Sequence, residues 1–466
     1  MSDAIILMKQ ELLVTVILFI LLFLKLGSRE WKSETVLNLI NGLLFLNLGA
    51  GFTGIADGKL FGEMFRTNAL ITLEKNILNL GVLIISLQSY SWLKNHRHIA
   101  EFYMLLLSTL LGMFFMISSN NLLMFYLGLE LSSIPLAAMC NFDLEKRISS
   151  EAAFKFIMSS ALSTAFLLFG MSMLYGTTGT LDFPELSQRL DGSGLQLFAF
   201  VLLIAGFGFK ISAVPFHLWT ADVYEGSPVA TTSYLSVISK GAILFVFVSV
   251  LYNVFRQMES SWYNMIFLIS VITMIIGNLF ALRQQNMKRF LAFSSIAQVG
   301  FILVGISGSS AAGSASVIYF IMIYVFSNLG AFGVISVVSA ITGRERVDDY
   351  KGFYKTNPLL AWILTISLFS LAGIPPTAGF FGKFFLIMAG AGKGNYVLIV
   401  IAALNMVVSL YYYLRVVKAM FMDTNENPID PVQSTLMEKL SFAICMGGIV
   451  ITGLASGAYR YIYSLL

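Results

Sequence analysis

The sequence predicts an all-α polytopic membrane protein of about fourteen transmembrane helices, with two inverted five-helix repeats that each contain a broken helix. Three observations carry this prediction. Hydrophobic residues make up 57% of the 466 residues and charged residues 12%, about half the charged share of a soluble domain. The apolar residues fall in runs close to the ~20 residues that one helix needs to cross a bilayer. Two of the runs are too long for one crossing, and each is interrupted by proline.

Taken in order, the helical segments lie at roughly 5–26, 35–55, 68–93, 99–118, 120–141, 151–175, 195–225, 229–255, 262–282, 288–307, 314–341, 358–392, 395–421 and 437–460. The first run follows an acidic Asp3 and has no small-residue cleavage site after it, so it reads as a retained helix. The longest polar linkers are Thr177–Gly194 and Thr342–Asn357, too short to separate a pair of domains. The chain therefore reads as one membrane domain, 1–466. It comprises three N-terminal helices (1–98), a first repeat (99–255), a second repeat (262–421) and a C-terminal helix (437–466).

Basic residues set the expected orientation. Loops after odd-numbered segments hold most of the cations, among them Lys25, Arg29, Lys32, Lys146, Arg147, Lys288, Arg289, Arg344 and Arg346. By the positive-inside rule this face is cytoplasmic, and both termini then lie on the outer side. The net charge of +4 mostly flanks the spans and gives no reason to expect a nucleic-acid partner.

The seventh segment is broken at KISAVPFH by Pro215, and the twelfth at SLAGIPPTAG by Pro375 and Pro376. Proline removes a backbone donor, and in lipid the freed groups must be satisfied by protein or by a cavity. The breaks lie five segments apart. Segments four to eight and nine to thirteen then form two units, each with its fourth helix broken. Five is odd, so the second unit is inverted in the membrane.

Charge inside these runs points to function. Lys155, Lys210, Lys240 and Lys383 all lie in apolar segments, as do Glu74, Lys75 and Glu130. A charge at mid-bilayer costs roughly 3 kcal/mol on insertion scales, and such groups mark ion or proton paths. Glu130, Lys210 and Lys240 sit near the middle of their spans. Opposite charges about 4 Å apart attract by roughly 4 kcal/mol at an effective dielectric near 20, so opening such a pair would move a proton. The same pair could instead simply lock two helices. Lys155 lies one turn from Glu151 near a helix end, so an i,i+4 pair or snorkelling to the interface is an alternative to a relay role. Glu74 and Lys75 divide between a site, a subunit contact and a headgroup anchor. His217 follows Pro215 and could donate and accept a proton, or cap freed carbonyls. Asp222 and Glu225 form an acidic mouth or a solvated helix end.

Other chemistries are excluded by count. Two cysteines, Cys140 and Cys445, cannot supply the roughly four thiolates of an iron–sulfur cluster. Of three histidines, His96 and His98 share a loop and His217 stands alone, which leaves no axial pair for a haem. No metal site and no redox centre are expected on this chain.

The phrases GLELSSIPL (128–136), EAAFKFIMSSALSTAFLLFGMSMLYG (151–176), FKISAVPFHLWTADVYEGSP (209–228), FLAFSSIAQVGF (290–301) and FSLAGIPPTAGFFGKF (369–384) make the chain similar to a known family. They resemble the antiporter-like membrane subunits of respiratory complex I, NADH–quinone oxidoreductase, and within these the subunit N branch. The resemblance implies a proton-pumping subunit of the membrane arm. It casts Glu130 and Lys210 as the ion pair of a first half-channel, Lys240 as the central connecting lysine and Lys383 as the lysine of a second half-channel. It implies that NAD, FMN, iron–sulfur clusters and quinone belong to the rest of the complex. The implied partners are other membrane-arm and peripheral-arm subunits and the lipid bilayer. Many animal mitochondrial versions lack the first three helices, which this chain has, so a bacterial inner membrane is implied. Related chains occur in sodium/proton antiporter complexes and membrane-bound hydrogenases. A scaffold whose buried charges only fix helix register is the third class.

Overall fold

Helix forms over each expected segment in the computed structural model, which describes residues 2–27, 31–455 and 457–466. Arg29, counted above among the cytoplasmic cations, and Ser456, in the last expected helix, lie outside the described residues. Among the described residues, eleven helices are long and apolar enough to cross a membrane by themselves. Two N-terminal helices, α1 (Lys9–Leu26) and α2 (Ser33–Ala50), are of similar length. They fall outside the eleven because α1 carries three charges, Lys9, Glu11 and Lys25, and α2 is made less apolar by Asn38, Asn41 and Asn47.

The chain continues through α3 (Ala69–Gln88), α4 (Ile99–Ile117), α5 (Leu122–Cys140), α6 (Arg147–Thr178), α7 (Gly194–Ile211), α8 (Leu218–Gly226) and α9 (Val229–Asn253). Then come α10 (Glu259–Ala281), α11 (Met287–Ser307), α12 (Ala311–Thr342), α13 (Pro358–Ala372), α14 (Ala378–Ala391), α15 (Tyr396–Phe421) and α16 (Leu436–Leu454). One feature was not expected from sequence. Residues between α2 and α3 form a hairpin of β1 (Gly58–Leu60) and β2 (Phe65–Thr67).

Both expected breaks are real, and both end in a left-handed residue. α7 stops at Ser212, with φ 63°, before Pro215, and resumes as α8. α13 stops at Gly373, with φ 86°, before Pro375 and Pro376, and resumes as α14. A β-carbon on Gly373 would lie 3.2 Å from the Lys383 Cδ, so this corner has little room for a side chain.

Two matched pairs of helices frame the breaks. α4 and α5 cross where Gly112 meets Gly128, and a β-carbon on Gly112 would lie 2.7 Å from the Gly128 carbonyl oxygen. α10 and α11 cross where Gly277 meets Ala297, with a β-carbon only 2.6 Å from the Ala297 nitrogen. Small residues let backbones close up where lipid supplies no hydrophobic drive for association. The helices that follow these pairs, α6 and α12, are each 32 residues long and each end at a left-handed glycine, Gly179 at φ 69° and Gly343 at φ 68°. α9, α11 and α12 are almost wholly buried and form the middle of the bundle.

Candidate functional site

The break after α7 satisfies its own backbone. Ala213 N donates to the Gly208 carbonyl at 2.8 Å, and the Trp219 indole donates to the Phe209 carbonyl at 3.1 Å. Val214 N donates to Thr273 Oγ1 at 3.0 Å. With those groups paired, the Lys210 side chain is free to point inward at the end of α7. Its Nζ donates to Ser133 Oγ at 2.6 Å and Ser160 Oγ at 2.8 Å. A cavity of about 10 Å³ beside it is lined by Ser133, Phe156 and Trp219, room for about one water.

Glu130 is half-buried one turn before Ser133 on α5. Its Oε1 is shielded from solvent and has no hydrogen-bond partner. No direct Glu130–Lys210 ion pair is among those of the described residues. The two groups face the same Ser133 level, with the ammonium held by hydroxyls and the carboxylate left without a partner for one oxygen. His217 stands at the residue before α8 without a capping side-chain hydrogen bond, and its Nδ1 is likewise buried without a partner.

Lys240 follows a π-helical turn, Tyr234–Ser239, within α9. Such turns often mark functional positions because they re-aim the side chains beside them. The Lys240 Nζ donates to Ser295 Oγ on α11 at 2.8 Å and lies 5.3 Å from the centre of the Tyr224 ring. A cation over an aromatic face is stabilised without a counter-charge.

From Ser295 a polar row continues into the second break. The neighbouring Ser294 shares a 2.5 Å hydrogen bond with the Tyr413 hydroxyl. Gln298, one turn on, donates to Tyr413 at 3.1 Å and to the Leu371 carbonyl at 2.9 Å. The next carbonyl, Ala372, accepts from the Lys383 Nζ at 3.2 Å, and that ammonium lies 4.7 Å from the Phe301 ring. Lys210, Lys240 and Lys383 are 7%, 3% and 1% exposed, so each is removed from bulk solvent with only neutral groups as hydrogen-bond partners. At Lys210 and Lys240 a charged and a neutral amine can both be accommodated, because hydroxyls both donate and accept.

The remaining residues singled out by sequence fall elsewhere. Lys155 is partly exposed, pairs with Glu151 and Asp222 at 2.7 Å each, and belongs to a surface cluster. Arg289 closes that cluster on Asp222 at 2.6 Å and Glu225 at 2.9 Å. The acidic mouth is thus neutralised by two cations. Lys75 is buried against Glu11 at 2.5 Å. Polar pairs continue along α3, from Gln10–Asn76 at 2.7 Å to Asn47–Asn79 at 2.8 Å and Asn41–Ser86 at 2.6 Å. Both cysteines are buried and free. No group of three His, Cys, Asp or Glu side chains suited to a metal ion occurs among the described residues.

Sequence reasoning did not find Ser133, Ser160, Tyr224 or Tyr413. Hydroxyls are common in apolar helices. The one available signal was the spacing of Ser133 three residues after Glu130, which puts both on one helix face.

The family description "NADH:quinone oxidoreductase/Mrp antiporter, TM" matches residues 119–409. The chain is 44% identical over 452 residues to the NADH-quinone oxidoreductase subunit N of Phocaeicola vulgatus, covering 96% of this chain and 95% of that one. It is similar to a chain of respiratory complex I from Thermus thermophilus with bound aureothin, at 28% identity and a TM-score of 0.83, over 96% of this chain and 97% of the other. A chain of the Mrp complex from Dietzia sp. shares the fold, with a TM-score of 0.80 at 19% identity over 97% of both.

Proposed function

The chain belongs to the NADH:quinone oxidoreductase/Mrp antiporter membrane family, and on that premise we propose how its buried groups move protons. It is a proton-translocating, antiporter-like subunit of NADH–quinone oxidoreductase. A proton enters at the Glu130–Lys210 level, passes to Lys240, and reaches Lys383 along the Ser295, Ser294 and Tyr413 hydroxyls and through water. Lys383 releases it to the outer side. The observation that carries this reading is the set of three buried lysines whose hydrogen bonds go to hydroxyls and a carbonyl rather than to carboxylates. A locked structural charge would be expected beside its counter-ion, as Lys75 is beside Glu11.

Hydride and electron transfer belong to other subunits, which hold the NAD, FMN, iron–sulfur clusters and quinone. The partners are the other membrane-arm and peripheral-arm subunits, in a bacterial inner membrane, with both termini outside. Affinity purification in mild detergent tests the assignment. The purified complex should contain flavin and iron–sulfur subunits and oxidise NADH with quinone. A complex of hydrophobic antiporter subunits alone, without flavin, would contradict it. A cysteine appended after Leu466 should react with an impermeant thiol reagent in intact cells. Reaction only after the membrane is opened would reverse the orientation.

A further inference from the structure

Glu74 is a buried acid that the relay does not use. It is 7% exposed on α3. Its neighbour Lys75 is fully committed to Glu11, and no hydrogen bond or ion pair within 4.0 Å holds the Glu74 carboxylate among the described residues. Instead Glu74 lines a cavity of about 430 Å³, large enough for many waters. The mouth of that cavity carries Arg66, Arg256 and Glu259, on the face opposite the cation-rich loops. Its wall runs inward along α9 from Asn253 through Ser249 to Phe245. Glu259 is paired with Lys393, so it is not free to bind Arg66. Arg66 has a shielded Nε with no partner.

The register of α3 against α9 places this acid close to the central lysine in depth. A β-carbon on Gly241 would touch Leu78 at 3.6 Å, and one on Gly81 would meet Ile238 at 2.3 Å. Lys240 therefore lies level with residues 78–81 of α3. Glu74 is one helical turn outward from Leu78, about 6 Å along the axis. The cavity ends at Phe245, five residues from Lys240 on the same helix, about 7.5 Å of rise. No other acid lies between the cavity and the lysine on the faces of α3, α9 and α12 that line it.

We propose that Glu74 and this cavity form an outer-side port of Lys240, a second branch parallel to the one through Lys383. The Lys240 ammonium loses a proton, the Glu74 carboxylate gains it, and the resulting carboxylic acid releases it to water in the cavity. Arg66 and Arg256 place positive charge at the mouth through which the proton leaves. The proposal rests on the relay reading above.

The test uses the complete complex in bacterial membranes, with NADH oxidation and proton pumping read in the same vesicles. Glu74→Gln should assemble, lower pumping without abolishing it, and remove the residual pumping of a Lys383→Met complex. Glu74→Asp should restore part of the loss. Ser249→Cys supplies an independent arm. An impermeant anionic methanethiosulfonate should label it from the outer face of intact cells, and labelling should lower pumping to the level of Glu74→Gln. If Lys383→Met lowers pumping while Glu74→Gln and labelled Ser249→Cys do not, the port is overturned and the relay stands. If Lys383→Met has no effect, the relay reading itself falls. Should Glu74→Gln fail to assemble, the labelled cysteine decides alone, and undiminished pumping after complete labelling overturns the port.

Discussion

The two halves of the molecule share a frame and differ in the groups mounted on it. In the first half Asn121 caps α5 by accepting from Leu123 N, and nine residues on stands Glu130. In the second half Asn286 caps α11 by accepting from Lys288 N and Arg289 N, and nine residues on stands Ser295. Three residues further, Ser133 occupies the first frame and Gln298 the second. Both positions contact the broken helix, Ser133 through Lys210 and Gln298 through the Leu371 carbonyl. The lysines are not matched: Lys210 precedes its break and Lys383 follows its own. Where the first half can separate charge between an acid and a lysine, the second offers a neutral hydrogen-bonded row. On the proposed relay the halves would do different work, the first storing and releasing a charge pair and the second conducting from Lys240 outward.

Lys240 joins the halves, since it rises from α9 and donates to Ser295 of α11. Lys240→Met should therefore have the largest effect, a loss of proton pumping of about a hundredfold or more with an assembled complex. Measured as vesicle acidification per NADH oxidised, substantial residual pumping would show that the halves work independently.

Next in size is the contrast at the matched positions. Glu130→Gln should lower pumping about tenfold by removing the carboxylate of the first half. Ser295→Ala should lower it about threefold, the scale of one hydrogen bond. Equal losses would mean that the acid has no special role, and the comparison would break. The pair Ser133→Ala with Ser160→Ala sharpens it from the other side. Lys210 would then lose both its acceptors, and the double variant should fall short of Glu130→Gln only if the carboxylate can reach the ammonium when the serines are gone.

The smallest effect is expected at Lys155. Its ion pairs with Glu151 and Asp222 are partly exposed, and such pairs contribute about 1 kcal/mol or less. Lys155→Met should leave both pumping and complex yield close to the parent. A loss as large as that of Glu130→Gln would move the cation cluster from the surface into the relay.

Much of this was legible in the sequence because charge and proline are conspicuous in apolar runs. The positions of Glu130, Lys210, Lys240 and Lys383, and both breaks, could be read directly, since each costs free energy that an accident would not meet. The partners of the lysines could not. Ser160, Tyr224 and Tyr413 look like ordinary residues of apolar helices, and only the rotation of α6, α8 and α15 turns them toward the row. Lys155 was ambiguous for a related reason. Its pairing with Glu151 follows from helical spacing, but Asp222 comes to it through the fold of α8. The matched lengths of the 32-residue helices were hidden mostly at their starts, where residues 147–150 and 311–313 fell outside the expected segments.

The central claim is that the buried lysines give up protons and are not fixed positive charges. Lys383 tests it most directly, because its Nζ donates to a backbone carbonyl and has no carboxylate within 4.0 Å among the described residues. Proton pumping should be compared in assembled complexes carrying Lys383→Met and Lys383→Arg. Arginine keeps the charge but does not release a proton in the physiological range. The relay predicts that both variants lose pumping to a similar extent. Full pumping with Lys383→Arg and loss with Lys383→Met would show that only the charge matters, and would contradict the account at its core.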